Sequence, residues 1–328
     1  MKTSRWMSLS LLFAVLIPSP SQACDFCMLG QGVSPYMTAT GKGLTLDTHY
    51  MELDQVYDRD ARVQSHGKTE AWTVYSLTGF YPVTDDLSLL ATLPFVSKTN
   101  VDFAEADQSN PGTLTTGVAD VTLTGRYTLF MKHDLDATLI GGLLAGVKFP
   151  TGTTGNRDAR GEPVDRHALP GTGSWDFDLG FSGSYAMASG FQLTVDAVYR
   201  ISTTGQWDGR DHRYGNMFNY GVKAFYRVAR SEAGALLMPF VGVSGESTGR
   251  EKGTDDPTSG GYDSARVNPS TGGTVLFADV GVYTVLGEHT MANLGFAKSF
   301  YRVMNFDPAF DADPSENYKV DLSITYLF

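Results

Sequence analysis

The stretch Tyr318-Lys319-Val320-Asp321-Leu322-Ser323-Ile324-Thr325-Tyr326-Leu327-Phe328 decides how this chain folds. Tyr318, Val320, Leu322, Ile324, Tyr326 and Phe328 take alternate positions, with Lys319, Asp321, Ser323, Thr325 and Leu327 between them. In an extended strand, successive side chains point to opposite faces. One face is therefore aliphatic with aromatics near its ends, and the other is mostly polar.

The same period runs backwards through the chain. Val121, Leu123, Tyr127 and Leu129 alternate with Asp120, Thr122, Thr124, Arg126 and Thr128. Trp175, Phe177, Leu179, Phe181 and Tyr185 oppose Asp176, Asp178, Ser182 and Ser184. Leu193, Val195, Ala197, Tyr199 and Ile201 oppose Gln192, Thr194, Asp196 and Arg200, while Phe218, Tyr220, Val222 and Tyr226 oppose Asn219, Lys223 and Arg227. Charges that recur on the second face cannot line a dry core, because an unpaired buried charge costs several kcal/mol. They suit a wet lumen, with the apolar face turned to lipid. The alternation blurs near 235–247 and 274–285, where the strand reading is weakest.

Connection lengths alternate too. Short ones fall near Thr84–Asp86, Met131–Asp134, Met187–Gly190, Ala229–Gly234 and Leu286–His289. Long ones fall near 55–69, 99–115, 150–172, 203–216, 247–270 and 303–316. Five plus six gives eleven connections, hence twelve strands. The expected fold is all-β: a transmembrane antiparallel up-and-down β-barrel over 44–328. Every backbone group must be paired in hydrocarbon, so the last strand should close on the first, near Leu44–Met51.

Composition agrees. The 328 residues are 42% hydrophobic but only 19% charged, with 36 glycines and 12% aromatics. A net charge of −11 argues against nucleic-acid binding, which needs a basic face. Residues 1–23 read as a secretory signal: Lys2 and Arg5, an apolar run from Leu9 to Ile17, then Ser21-Gln22-Ala23. A bacterial outer-membrane location follows. Residues 24–43 read as a short periplasmic tail or a plug entering the lumen. They carry Cys24 and Cys27, a local disulfide by default in an oxidising compartment, with a redox, metal or lipidation role as alternatives. Tyr326 and Phe328 resemble the insertion signal that outer-membrane barrel assembly machinery reads.

Three segments point to a family. Gly117-Val118-Ala119-Asp120-Val121-Thr122-Leu123, Lys148-Phe149-Pro150-Thr151-Gly152 and Pro170-Gly171-Thr172-Gly173-Ser174-Trp175-Asp176 occur in that order. Tyr199-Arg200, Tyr214-Gly215-Asn216 and Asn219-Tyr220 follow. Over roughly residues 40 to 328, the chain resembles the outer-membrane proteins named for the meta pathway of phenol degradation. That resemblance implies a barrel that admits small, often aromatic or hydrophobic compounds. It supplies no site residues to carry over, and Cys24-Asp25-Phe26-Cys27 lies outside its pattern.

The lumen-lining candidates are Asp120, Arg126, Lys148, Asp176, Asp178, Asp196, Arg200, Lys223 and Arg227, with Asp47 and Lys319 on the same face. They form either a selectivity ladder or a cross-brace of a solvated interior; mixed signs argue against strong ion selectivity. Asp255, Asp256, Asp307, Asp311, Asp313 and Glu316 read as solvated outer loops; the alternative is that their dense oxygen ligands bind divalent cations or bridge to lipopolysaccharide, but the spacing is not that of an EF-hand and no metal is expected. No cofactor is expected. His66, His167 and His212 fall on loops, and His49 in a strand has no serine placed as nucleophile, so no enzyme is expected. The function expected is passage of small solutes across the outer membrane. The alternatives are a structural or partner-binding barrel, adhesin-like or electron-transfer-associated, and less so a lipid hydrolase.

Overall fold

A computed structural model describes residues 41–58, 60–63, 69–101, 113–158, 161, 163–164, 166–230, 236–255, 261–307 and 315–328. The signal segment and the Cys24–Cys27 pair therefore lie outside the described residues. Twelve long strands cross the molecule: β1 (Gly43–Asp58), β2 (Thr69–Pro82), β3 (Leu87–Val101), β4 (Thr122–His133), β5 (Ala137–Lys148), β6 (Asp176–Met187), β7 (Phe191–Ile201), β8 (Met217–Tyr226), β9 (Leu236–Thr248), β10 (Gly273–Leu286), β11 (Thr290–Met304) and β12 (Ser315–Leu327). Each pairs antiparallel with its sequence neighbours. β1 pairs with β12 from Gly43 opposite Leu327 to Gln55 opposite Ser315, which closes the barrel. Closure leaves no strand edge, as a sheet in hydrocarbon requires. Among the described residues no helix is long and apolar enough to span a membrane.

The two faces separate as their chemistry dictates. Outward, Leu44, Leu77, Leu93, Leu179, Val241, Leu294 and Ile324 are exposed. At the short-turn end the exposed wall carries Tyr81, Tyr127, Phe130, Tyr185, Tyr226, Tyr326 and Phe328. Toward the long-loop end it carries Phe95, Trp175, Phe177, Tyr199 and Phe218. Two aromatic belts around an aliphatic band are the signature of a lipid-facing wall. Tyr326 and Phe328 stack edge-on with centroids 5.6 Å apart, and the Phe328 amide donates to the Lys42 carbonyl at 2.9 Å.

β9 and β10 are full strands, and the structure explains why their alternation blurs. Leu236, Met238 and Phe240 of β9, and Phe277, Tyr283 and Val285 of β10, point inward and are buried. Both faces of these strands are apolar, so period two carries no contrast there. Glu316 is also placed differently from the loop expectation. It lies in β12 and is buried, and its carbonyl accepts from the Arg302 guanidinium at 3.1 Å. The strand pairing takes in Ser315 and Glu316, two residues of the stretch expected to be loop.

On the long-loop side a second, four-stranded sheet forms from Thr204–Trp207, Arg210–Arg213, Lys252–Asp255 and Tyr262–Val267. The first two make a hairpin through Asp208 (φ 47) and Gly209 (φ 75). Positive φ at both central residues gives the tight turn whose twist matches the strands, and Asp-Gly tolerates it. This sheet roofs the loop between β5 and β6, which turns into the barrel.

Candidate functional site

The interior of the barrel is the candidate site, and it changes character along its axis. At the outer end the loop 149–175 is tied to the wall by the residues that flank it. Asp120, just before β4, accepts from the Gly152 amide at 2.8 Å through Oδ1. Its Oδ2 accepts from the Thr172 amide at 2.9 Å and the Thr172 hydroxyl at 2.6 Å. Lys148 Nζ sits 3.1 Å from Asp120 and 2.6 Å from Asp176, and donates to Thr172. The Ser174 hydroxyl donates to Asp176 at 3.0 Å. All of these side chains are buried. Two backbone segments also meet: a Cβ on Gly152 would stand 2.6 Å from Gly171 Cα, and one on Gly171 2.5 Å from Gly152 C. Only glycine permits that approach.

Held at both ends, the loop places a short 3-10 turn, Arg166–Ala168, across the lumen. Lys98 of β3 donates to the His167 carbonyl at 3.0 Å and the Leu169 carbonyl at 2.6 Å. Thr115 donates to the Ala168 carbonyl. Val164, Ala168 and Leu169 pack with Trp207, whose indole donates to the Val164 carbonyl at 3.0 Å. Glu251 then gathers three cationic or imidazole groups: His167 Nε2 at 3.1 Å, His212 Nε2 at 3.3 Å and Arg166 Nε at 3.5 Å. Burial alone would raise the Glu251 carboxyl, yet these neighbours hold it well below its ordinary 4.5. Burial pushes His212 below its ordinary 6.5, against the pull of Glu251. The result is a polar cap locked by ion pairs.

Below the cap, a cavity of ≈ 80 Å³ has Leu53, Trp72, Val275 and Met304 on its apolar side and Glu70, Glu246, Glu251 and Glu316 among its polar groups. Deeper, Asp178 and Arg200 form a paired bridge, Nε to Oδ1 and Nη2 to Oδ2, each 2.9 Å. Asp47, His49, Asp321 and Lys319 line β1 and β12, with His49 bonded to Asp321. Lys223 stands 3.9 Å from Asp279 near Asp196, and Arg126 lies on the β4 wall. Cations here rest on rings: Lys319 is 3.7 Å from the Phe277 centroid, Lys98 4.7 Å from Trp72, Lys223 5.5 Å from Phe240. Side-chain atoms of Asp47, Ser182, Asp196, Asn219, Ser244 and Asn293 are buried without a hydrogen-bond partner among the described residues. Buried polar groups are paired almost without exception, so these atoms call for water or a solute as the missing partner.

At the short-turn end the interior turns apolar. Phe225, Leu236, Met238, Phe240, Tyr283, Val285 and Met291 form one buried cluster, Phe80 and Leu90 another, and Leu327 packs against both. A Cβ on Gly281 would lie 2.4 Å from Phe240 Cζ, so this glycine makes room for the ring. The sequence reading missed this floor. Its signal was the same loss of alternation that weakened β9 and β10.

The candidates thus divide. Asp120, Lys148 and Asp176 meet at the loop anchor; Asp178 and Arg200 pair above the belt; Asp196 and Lys223 share the belt, and Arg126 faces the same interior. Arg227 does not join them. It lies one residue past β8, partly exposed, and donates to the Ala188 carbonyl of a short turn at 3.1 Å. Its side chain is taken up by the short turn at that end of the barrel. Glu251, His167 and His212 were not candidates, because their partners lie 84 and about 40 residues apart.

The family model described as "MetA-pathway of phenol degradation" matches residues 60–279. The chain belongs to this family. The match runs from the first outer loop through the middle of β10 and so includes the whole loop anchor. Among solved structures, the family member is similar to an outer-membrane channel from Pseudomonas putida F1, with a TM-score of 0.64 and 16% identity. The likeness covers 95% of this chain and 100% of that one, and shows a shared fold. More distant likenesses are the β-domain of the Bordetella autotransporter BrkA (TM-score 0.48, 9% identity, 88% and 100% covered) and the CymD monoaromatic hydrocarbon channel (0.40, 10%, 94% of each). No curated protein matches the sequence.

Proposed function

We propose that this protein is a narrow, non-enzymatic channel of the bacterial outer membrane, carrying small solutes along a hydrated lumen. The observation that carries the reading is a belt of buried, unsatisfied polar groups inside a wall whose outer face is apolar. The fold shared with an outer-membrane channel supports it. Asp196, Lys223, Asp178, Arg200 and Arg126 line the hydrated path, while Asp120, Lys148 and Asp176 hold the cap. Mixed signs give weak ion selectivity.

The cavity under the cap suggests the solute class. Its apolar side, with Trp72, suits a small ring, and its glutamates accept from hydroxyl or amino donors. Small aromatics bearing such donors match this lining in chemistry, and at ≈ 80 Å³ the cavity admits one only when the cap moves. The cleaved signal of residues 1–23, the Cys24–Cys27 pair as a disulfide, recognition of Tyr326 and Phe328 by assembly machinery, and contact with lipopolysaccharide complete the proposal. Residues 24–43 act as tail or plug. Swelling of liposomes containing purified protein tests the function. Faster swelling with phenolics than with sugars of equal mass supports it; no swelling with any solute, even when cap and floor are both released by Asp120→Ala and Phe240→Ala, would refute it.

A further inference from the structure

We propose that the outer wall carries a binding site for a phosphorylated glycolipid of the surrounding leaflet. A groove of ≈ 610 Å³ runs across the long-loop ends of β7 to β11. Arg213, Arg250 and Lys252 line it, and no carboxylate does, in a chain whose net charge is −11. The segregation has a structural cause. In Arg250-Glu251-Lys252, Glu251 is buried among the cap histidines, while Arg250 and Lys252 are exposed. Among the described residues these three cations form no ion pair.

Two of them are held in place. The Arg213 guanidinium donates to the Ser202 carbonyl at 3.0 Å and to Asn216 at 3.3 Å, and Arg250 donates to Asn305 at 3.4 Å. The wall within the groove is apolar and half-exposed: Tyr199 and Phe218, centroids 6.5 Å apart, with Val303. The Tyr199 hydroxyl accepts from Asn216 at 3.0 Å, at the level of the aromatic belt. Cations at the interface with rings and an aliphatic surface beneath match an amphiphile whose phosphate sits on the rim and whose chain runs down the wall. A free phosphate would use only the rim. The inference rests on the reading that this wall faces lipid.

The test is native mass spectrometry and thermal melting of the full protein in detergent, titrated with lipid A, dephosphorylated lipid A or inorganic phosphate. Lipid A is expected to remain as an adduct and raise Tm. Removing its phosphates should abolish both effects, and inorganic phosphate should reproduce neither. The double variant R250Q/K252Q should weaken binding about fivefold per charge removed; K252Q alone serves if the double variant does not fold. Equal binding by variant and wild type, or by the dephosphorylated lipid, would overturn the site. Binding is read whether or not the barrel conducts, so failure here is separable from failure of the channel reading.

Discussion

The two ends of the lumen are closed by opposite chemistry. The outer end is shut by a loop, Arg166–Ala168 and its flanks, held by Lys148, Asp120 and Asp176 and by Glu251 with its two histidines. The inner end is shut by side chains of the wall itself, Phe225, Met238, Phe240, Tyr283 and their neighbours. A polar cap depends on charge state and on every partner being present. An apolar floor depends on shape and volume and is indifferent to pH. Between them lies a belt of buried polar groups that lack partners among the described residues. A solute crossing the barrel therefore meets two barriers in series, each responsive to a different perturbation.

The largest effect should come from the anchor. Asp120→Ala removes one of the two carboxylates beside buried Lys148 and strips the Gly152 and Thr172 amides of their acceptor. Breaking a buried pair from one side costs about 3–5 kcal/mol. Urea unfolding in detergent should show that loss; a change under about 1 kcal/mol would mean the anchor is dispensable. Phe240→Ala should come next, at ~3 kcal/mol for a buried ring, with Gly281 left facing a void. Its melting temperature should not depend on pH beyond the wild type's dependence.

Of the two closures, acid should act on the cap and not on the apolar floor. His212 is held below 6.5, so as pH falls through that value the unfolded state takes up protons the folded state refuses, and cap stability declines. Glu251 is held below 4.5, so its contribution is present above that value and is lost as pH falls further. Both signs agree: acid loosens the outer end. In a Phe240→Ala background, conductance should rise below about pH 6.5 and rise again below about 4.5, and Glu251→Gln should erase the lower step. A flat profile would remove the latch. A smaller effect is expected from Lys223→Gln in that background: a shift of reversal potential toward cations, since Asp196 and Asp279 remain. Smallest is Arg227→Ala, with stability within about 0.5 kcal/mol of wild type. A larger loss would place it back among the interior groups.

The barrel was legible in the sequence wherever the two faces differ in polarity. Period two in β6, β7, β8 and β12 gave strands, faces and closure, and the count of short and long connections gave the number of strands. It faded in β9 and β10 because their inner face is greasy at the floor, so the feature that closes the lumen also hid the strands. The three family segments carry the anchor residues Asp120, Lys148, Thr172 and Asp176, yet their meeting was not readable. Loop infolding depends on contacts 24 to 52 residues apart, between residues with no common period. The cap histidines were legible only as loop residues, since nothing local marks Glu251 as their partner.

Single-channel conductance in planar bilayers tests the central claim most directly, comparing wild type, Asp120→Ala, Phe240→Ala and the double variant. Two closures in series predict a small gain from either single change and a much larger gain, exceeding the product of the two, when both are combined. If either single variant opens the barrel as fully as the pair, the lumen has one barrier, and the account of its two ends is wrong.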